Sequence, residues 1–219
     1  MPGVIIQVSQ FLKDTENKPN PKSLVIIWGG GNDVFNNIAK IVDKNKDDKK
    51  VLLLSKLINA AYPFAHVGLT SLSNPVKNIK VAVNMLIDAG IPAENIYVIN
   101  LPNLADTPAA IRMAKGSKAV LVTLTAISDV FNSMLRGNLV FNYFDALHNL
   151  PNGNIISVNN VLDPVIKNPL AFGFTKTLVS CVREKQTPYC KGYLFFNHKH
   201  PASKGHRVIA NYVESAIDH

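Results

Sequence analysis

The sequence contains two cysteines, one tryptophan and no long apolar run. Its longest apolar runs, Val51–Leu54 and Ala119–Leu124, are far short of the roughly 20 residues that cross a membrane as a helix. We therefore predict no transmembrane segment. The first residues, MPGVIIQVSQ, have no basic flank before a long apolar core, so no secretion signal is predicted there. We expect a protein that stays in the cytosol or a chain whose true start lies upstream.

The two cysteines are too few for a zinc site, because a structural zinc ion needs four ligands. Cys181 and Cys190 bracket the polar segment VREKQTPY. This spacing is compatible with a loop closed by a disulfide in an oxidising compartment. It is equally compatible with two free thiols.

Positive charge is what the sequence has in excess, with 23 Lys and Arg against 15 Asp and Glu and a formal net charge of +8. The excess lies in short runs such as DKNKDDKK (43–50), CVREK and NHKHPASKGHR. Because no basic stripe is interleaved with aromatic residues, we do not predict a nucleic-acid partner. A basic solvated surface is the simplest interpretation, and attraction to anionic lipid headgroups fits the same charge.

The order of apolar runs indicates an α/β fold. Three β-branched runs are typical of strands buried on both faces of a parallel sheet: Leu24–Trp28, Ile96–Leu101 and Ile155–Val158. A fourth run, Ala119–Leu124, fits a strand or a helix. Helical patterns cover Val4–Leu12, Val76–Ala89, a long stretch after Thr107-Pro108, and Ala202–Ile217. We predict a single domain over residues 1–219 with a doubly wound sheet and an insertion at 43–75 that has room for a helix at 50–60.

The segment WGGGNDVF (28–35) follows the first predicted strand. Ligands of open α/β sheets bind at the carboxyl ends of strands, and glycines let a backbone approach a ligand closely. Asn32 could donate its amide N–H to a developing negative charge. Alternatively, the segment is a tight turn in which Asp33 caps the next helix. A phosphate loop is not predicted, because the segment contains neither a G-x-G-x-x-G pattern nor a following lysine.

The segment LFFNHKHPASKGH (194–206) contains His198, His200 and His206. Metal ligation, general-base catalysis and a solvated loop are all compatible with three histidines in nine positions. A metal site is the least favoured of the three, because no carboxylate or thiolate supports the histidines.

Taken together, these segments resemble the SGNH or GDSL family of ester hydrolases. GGND at 30–33 resembles the third family block, G-x-N-D, and FFNHKHPASKGH at 195–206 resembles the fifth, F-W-D-x-x-H-P-T. INLPNLADTPAA (99–110) and NPLAFGFTKTLVSC (168–181) are similar to connecting segments of the bacterial lipase, phospholipase and thermolabile-haemolysin branch, in which a cysteine pair often precedes the fifth block. The resemblance covers nearly the whole chain apart from 43–75.

The resemblance implies a three-layer α/β/α sandwich with a flavodoxin-like parallel sheet of order 2-1-3-4-5. It implies that His200 is the base that takes a proton from a serine, with Asn32 and Gly30 at the oxyanion and substrate-binding positions. His198 and His206 match no catalytic position. The substrate would be an ester or a phospholipid, no cofactor or metal would be needed, and the protein would be secreted or periplasmic.

The chain departs from the family pattern in two places. Asn197 stands where the family has the acid that orients the base. The nucleophile block, G-D-S-L, is not found in the 29 residues before Gly30. Ser71 and Ser73 in GLTSLSN (68–74) echo that block but follow the third block instead of preceding it, and Ser9 is no better placed.

We therefore expect little or no turnover from this chain, because the family's first two strands and its nucleophile are not encoded in it. Leu24–Trp28 would then be an edge strand that self-associates or binds a separate N-terminal fragment. The alternative functions are a catalytically dead relative that binds lipid or protein, and a cytosolic scaffold that has lost the site.

Overall fold

The structure is a computed structural model that describes residues 3–36, 70–137 and 147–218. The chain divides into two compact units. The first unit consists of Met1–Asp43, Lys56–Leu101 and Asp129–Ile156, and the second consists of Lys44–Ser55, Pro102–Ser128 and Ser157–His219. The prediction of a single domain stays a prediction. Most of the suspected insertion, with its helix at 50–60, lies outside the described residues.

The first unit contains a three-stranded parallel sheet. Its strands are β1 (Val25–Trp28), β2 (Ile96–Ile99) and β3 (Ile155–Ile156), in the order β1-β2-β3. In the register, Val25 lies opposite Ile96, and Val98 lies opposite Ile155. The α/β class and the three parallel strands predicted from the sequence are confirmed, although each strand is shorter than its apolar run.

The prediction that β1 is buried on both faces is wrong for the described residues. Ile27 is buried, whereas Ile26 and Trp28 are 46% and 41% exposed. Successive side chains of a strand point to opposite faces, so only the Ile27 face of β1 reaches the core. The neighbouring β2 does have both faces covered, because Val98 is fully buried on one face and Ile99 is buried on the other.

Helices α1 (Val4–Asp14) and α2 (Thr70–Asp88) of the first unit pack against each other. The predicted end of α2 at Gly90 is confirmed. Gly90 has φ +95°, and the next N–H, that of Ile91, donates to the carbonyl of Leu86 at 3.1 Å. Glycine closes the helix here because its missing Cβ allows the left-handed turn.

The second unit contains a smaller parallel sheet that the sequence did not predict. Strands β4 (Lys176–Ser180) and β5 (Tyr193–Phe195) pair with each other. Both are short, and β4 mixes lysine, threonine and serine with its apolar residues, so neither gives a long apolar run. Helices α5 (Asn159–Lys167) and α6 (Ser203–Ile217) pack together, and α6 also packs on β5. The predicted C-terminal helix is therefore confirmed.

The helical stretch after Thr107-Pro108 is two helices, α3 (Pro108–Ala114) and α4 (Lys118–Arg136). Lys115 and Gly116 between them have φ values of +46° and +91°, which no helix can contain. The Thr107 hydroxyl caps α3 by accepting from the N–H of Ala110 at 3.2 Å. The ambiguous run Ala119–Leu124 belongs to α4 and is helical.

Helix α4 is long and apolar enough to cross a membrane by length and composition, and 61% of its apolar window is buried within the protein. A core helix passes the same test. The helix is therefore weak evidence for a membrane span.

Candidate functional site

The glycine turn after β1 belongs to the first unit and depends on a close contact. Gly30 has φ +91°, and a Cβ added there would lie 2.7 Å from the ring of Phe131. Glycine is therefore required by both the backbone conformation and the packing. The Gly30 carbonyl accepts from the N–H of Val34 at 3.1 Å, and residues 31–36 are helical.

Asn32 lies in the first turn of this helix, and its side chain is exposed. An exposed amide at this position can donate to an oxygen atom of a ligand. Asp33 lies inside the same helical turn, which begins at residue 31. The alternative interpretation of Asp33 as the N-cap is therefore wrong, because the helix starts three residues earlier than that role requires.

His200, the predicted base, and Asn197, at the predicted acid position, lie together in one tight turn of the second unit. The Asn197 Oδ1 accepts from the backbone N–H of Lys199 at 3.0 Å and from that of His200 at 2.9 Å. These two bonds hold the amide plane, as an Asx turn does. The Nδ1 atom of His200 lies 3.1 Å from Asn197 Oδ1 and 3.0 Å from Asn197 Nδ2.

These two distances correspond to two tautomers of the His200 ring. If Nδ1 carries the proton, it donates to Oδ1 and leaves Nε2 as an acceptor. If Nδ2 of Asn197 donates instead, Nδ1 is the acceptor and Nε2 carries the proton. An imidazole acts as a general base through Nε2 only in the first tautomer. A carboxylate at position 197 would accept only and would select that tautomer.

Backbone hydrogen bonds close the base of the turn. The N–H of Phe196 donates to the carbonyl of His200 at 2.9 Å, and the N–H of Ala202 donates to the carbonyl of Leu194 at 2.8 Å. A single antiparallel bridge joins Phe195 and Pro201. His200 therefore lies in a short turn whose two ends are hydrogen-bonded to each other, and its side chain is exposed.

His198 connects this turn to α3. Its carbonyl accepts from the N–H of Ala109 at 2.9 Å, and its Nε2 lies 3.0 Å from an Nη of Arg112. Because a guanidinium can only donate, the ring accepts at Nε2 and is neutral. Burial, together with the positive charges of Arg112 and Arg183, lowers the pKa of His198. The sequence assigns His198 to no catalytic position, and its contacts instead attach the turn to α3.

Gly205 allows α6 to lie close to the strand that leads into the turn. A Cβ at this position would lie 2.7 Å from the carbonyl oxygen of Leu194 and 2.9 Å from Pro201. Both of these residues flank the Asn197–His200 turn in sequence. The position of the turn therefore depends on a glycine in the first turn of α6.

Cys181 and Cys190 form a disulfide with a Cα–Cα distance of 5.3 Å. The first of the two alternatives from the sequence is thus the one observed. The N–H of Cys181 donates to the carbonyl of Phe195 at 3.0 Å, and that of Val182 donates to the carbonyl of Phe196, also at 3.0 Å. The closed loop is thereby attached to the segment that carries the His200 turn.

The remaining sequence candidates lie elsewhere in the secondary structure. Ser71 and Ser73 fall in the first turn of α2, and Ser9 is exposed on α1. His206 is exposed on α6 and remains a surface residue. In the described ranges, no three His, Cys, Asp or Glu side chains are grouped so that they could hold a metal ion.

Sequence reasoning missed Arg112 and Gly205. Arg112 is one of many cations in a basic chain, and it lies 86 residues from its histidine. No local pattern marks such a pair. Gly205 directly precedes His206 in an apolar–polar helical pattern, where a glycine is an unfavourable residue. The low helix propensity of glycine at this position was the one feature of the sequence that could have indicated a close packing contact.

A model of the family described as GDSL-like Lipase/Acylhydrolase matches residues 3–213. This match spans both units and includes Gly30, Asn32, Asn197 and His200. No curated protein matches the chain.

Proposed function

The chain belongs to the GDSL-like lipase and acylhydrolase family, and from this premise we propose that the Asn197–His200 turn is the base part of an ester-hydrolase site. Family membership supports a general esterase or lipase-type function. The observation that carries the assignment of roles is the contact of His200 Nδ1 with Asn197, which leaves Nε2 as the ring nitrogen available to a substrate or nucleophile.

In this chemistry a serine Oγ attacks the ester carbonyl carbon and its proton passes to Nε2 of His200. The tetrahedral intermediate expels the alcohol, which takes that proton from His200 and leaves an acyl-enzyme. Water then attacks the acyl-enzyme, again with His200 as the base, and the acid is released from the serine. Asn32 and the Gly30 turn would donate hydrogen bonds to the developing oxyanion.

We further propose that these 219 residues alone turn over esters slowly or not at all. Asn197 cannot stabilise the imidazolium with a full charge, and the corresponding Asp-to-Asn change in serine proteases costs about 10⁴ in kcat. The sequence before Gly30 also contains no G-D-S-L serine. The second candidate function is that of a catalytically inactive relative that binds acyl lipids or a protein partner. Asn197 at the acid position and the missing G-D-S-L serine favour it as well.

Hydrolysis of a short-chain nitrophenyl ester tests this proposal. The purified chain and its His200→Ala variant are expected to give the same rate, and a serine-directed fluorophosphonate should label neither protein. Stoichiometric labelling at Ser71 or Ser73 that is lost in His200→Ala would contradict the proposal and identify a nucleophile within the chain. A phospholipid with one acyl chain and one with two then distinguish a lysophospholipase from a lipase if turnover is found.

We also propose that β1 recruits another strand. In the described part of the chain β1 pairs with β2 alone, and its run LVIIW contains no lysine or proline that would protect an open edge. Static light scattering is expected to give a mass above one 24.0 kDa chain. An Ile26→Lys variant, which places a charge on the exposed face, should lower that mass. A monomeric native chain with rapid amide exchange at Val25 and Ile27 would refute the idea.

A further inference from the structure

We propose that the disulfide-closed loop next to the His200 turn docks on the surface of an anionic phospholipid membrane. The docking surface consists of six residues: Val182, Arg183, Lys185, Tyr189, Lys191 and Phe196. This inference deepens the proposed function, on which it rests for the identity of the ester-bearing lipid.

The docking surface exposes apolar and aromatic side chains that a solvated loop does not need. Tyr189, which directly precedes Cys190, is 88% exposed, and Val182 and Phe196 are 46% and 42% exposed. Tyrosine is enriched at membrane interfaces because its ring is apolar and its hydroxyl is polar. Burial of these three side chains among lipid headgroups and the first acyl carbons would remove their apolar surface from water.

The charge around these side chains is positive. Arg183, Lys185 and Lys191 are exposed, and Glu184 is the one acid between the two cysteines. Lys176 and the hydroxyl of Tyr193 both donate to the Glu184 carboxylate, and these hydrogen bonds lower its pKa. Glu184 is therefore engaged within the protein, so the outward face of the loop is cationic.

The positive excess of the described chain belongs to the second unit as a whole. Residues 102–128 and 157–218 carry 11 Lys and Arg against five Asp and Glu, whereas the described residues of the first unit carry six of each. The attraction of a membrane surface falls off within a Debye length. The unit that carries the loop is thus the one that anionic lipid attracts.

Two consecutive backbone hydrogen bonds connect the docking surface to His200. Val182 donates to the carbonyl of Phe196 at 3.0 Å, and Phe196 donates to the carbonyl of His200 at 2.9 Å. Phe196 therefore belongs to the docking surface and to the base of the catalytic turn at once. Lipid held at the loop would lie beside the proposed base.

The form of the loop favours a membrane over a folded partner protein. The disulfide closes a segment of sequence separation nine, so little conformational entropy remains to be lost when the loop binds. Protein interfaces are depleted in lysine, whereas a tyrosine surrounded by Lys and Arg is typical of a segment that lies in the headgroup region.

Cosedimentation with vesicles tests the proposal on the full chain. We expect binding to phosphatidylcholine vesicles that contain phosphatidylglycerol, and weaker binding to phosphatidylcholine alone. The double variant Arg183→Gln/Lys185→Gln should lose roughly fivefold in affinity for each cation removed. Tyr189→Ser should lose roughly tenfold, as expected for partial burial of an aromatic side chain.

The matched control is Lys13→Gln/Lys18→Gln, which removes the same charge from exposed positions of the first unit. It should change the affinity by less than about twofold, since the described residues of the first unit carry no net charge that would attract an anionic surface. Equal losses in the loop variant and in this control would overturn the proposal, as would undiminished binding by Tyr189→Ser.

Insertion of the loop can be observed directly, because Trp28 is the single tryptophan. In the variant Trp28→Phe/Tyr189→Trp, anionic vesicles are expected to shift the emission to the blue, and brominated lipid should quench it. Emission unchanged by vesicles would place the loop outside the membrane. The same response to an anionic polynucleotide would show that the loop binds any polyanion, and either result would refute the proposal.

The two proposals fail separately. Vesicle binding needs no turnover and is expected to be unchanged in His200→Ala. The nitrophenyl ester is soluble in water, so its hydrolysis does not depend on membrane docking.

Discussion

At the scale of single residues, the decisive feature is the side-chain amide of Asn197, which we propose occupies the position of the family's orienting acid. Asn197 holds the turn through the N–H groups of Lys199 and His200 as well as a carboxylate would. It does not choose between the two tautomers of His200, because both of its side-chain atoms lie at hydrogen-bond distance from Nδ1. An amide at this position therefore holds the turn without fixing which ring nitrogen of His200 carries the proton.

Asn197→Asp is predicted to place the His200 proton on Nδ1. A carboxylate accepts but cannot donate, so only the tautomer with an unprotonated Nε2 keeps the contact. Nitrogen-15 NMR of the ring should show a mixture of tautomers in the native chain and predominantly Nδ1–H in the variant. A native ring already held in the Nδ1–H form would show that Asn197 selects the tautomer by itself.

His198 provides a prediction of pH dependence. Its pKa is lowered, first by burial and then by Arg112 and Arg183, so the unfolded chain binds a proton at this position more readily than the folded chain does. The stabilisation is therefore complete above the ordinary value of 6.5 and is lost as the pH falls below it. The free energy of unfolding should decrease less on acidification in His198→Gln than in the native chain. His206→Gln, at an exposed position of α6, is the control, and equal slopes in all three proteins would contradict the assignment.

At the scale of the elements, the approach of α6 to β5 positions the turn. The contact between them depends on Gly205, because a methyl group would collide with the backbone oxygen of Leu194 and with Pro201. A backbone oxygen cannot move aside as the end of a flexible side chain can. Strand and helix must therefore separate if this position gains a side chain.

Gly205→Ala is predicted to destabilise the protein by about 1–3 kcal/mol, the usual range for overpacking. Equilibrium denaturation measures this loss. Gly153→Ala is the matched control, since a Cβ at that position meets no atom within 4 Å, and its effect should stay within about 0.5 kcal/mol. A Gly205→Ala protein as stable as the control would mean that α6 can move away from β5 at no cost.

At the scale of the whole molecule, the disulfide stabilises the fold through the unfolded chain. By closing the short loop between Cys181 and Cys190 it restricts the conformations that the unfolded ensemble can adopt. Reduction is predicted to lower the free energy of unfolding by roughly 2–3 kcal/mol, according to the loop-entropy estimate.

Denaturant unfolding with and without reductant measures this difference. The double variant Cys181→Ala/Cys190→Ala should be about as stable as the reduced native chain and should not respond to reductant. Identical stability of the oxidised and the reduced protein would show that the disulfide does not further restrict this loop in the unfolded chain.

The amino-acid sequence was enough to predict the α/β class, the three strands of the larger sheet and the family resemblance. Those features are local: apolar runs indicate buried strands, and the order of Asn197, His200 and Pro201 is enough to indicate the resemblance. Two further properties were settled only by tertiary structure. Sequence left open whether Cys181 and Cys190 are joined, and it gave no indication that Arg112 holds His198.

Both depend on which side chains meet, whether nine residues apart, as the cysteines are, or 86, as Arg112 and His198 are, and periodicity carries no information about that. The burial of β1 was also predicted wrongly, because an apolar run does not reveal whether other elements cover both faces of a strand. The same reason explains the missed strands β4 and β5, because nothing in either short segment indicates the strand with which it pairs. Residue patterns report the environment that a segment favours, whereas the contacts that complete that environment come from the rest of the fold.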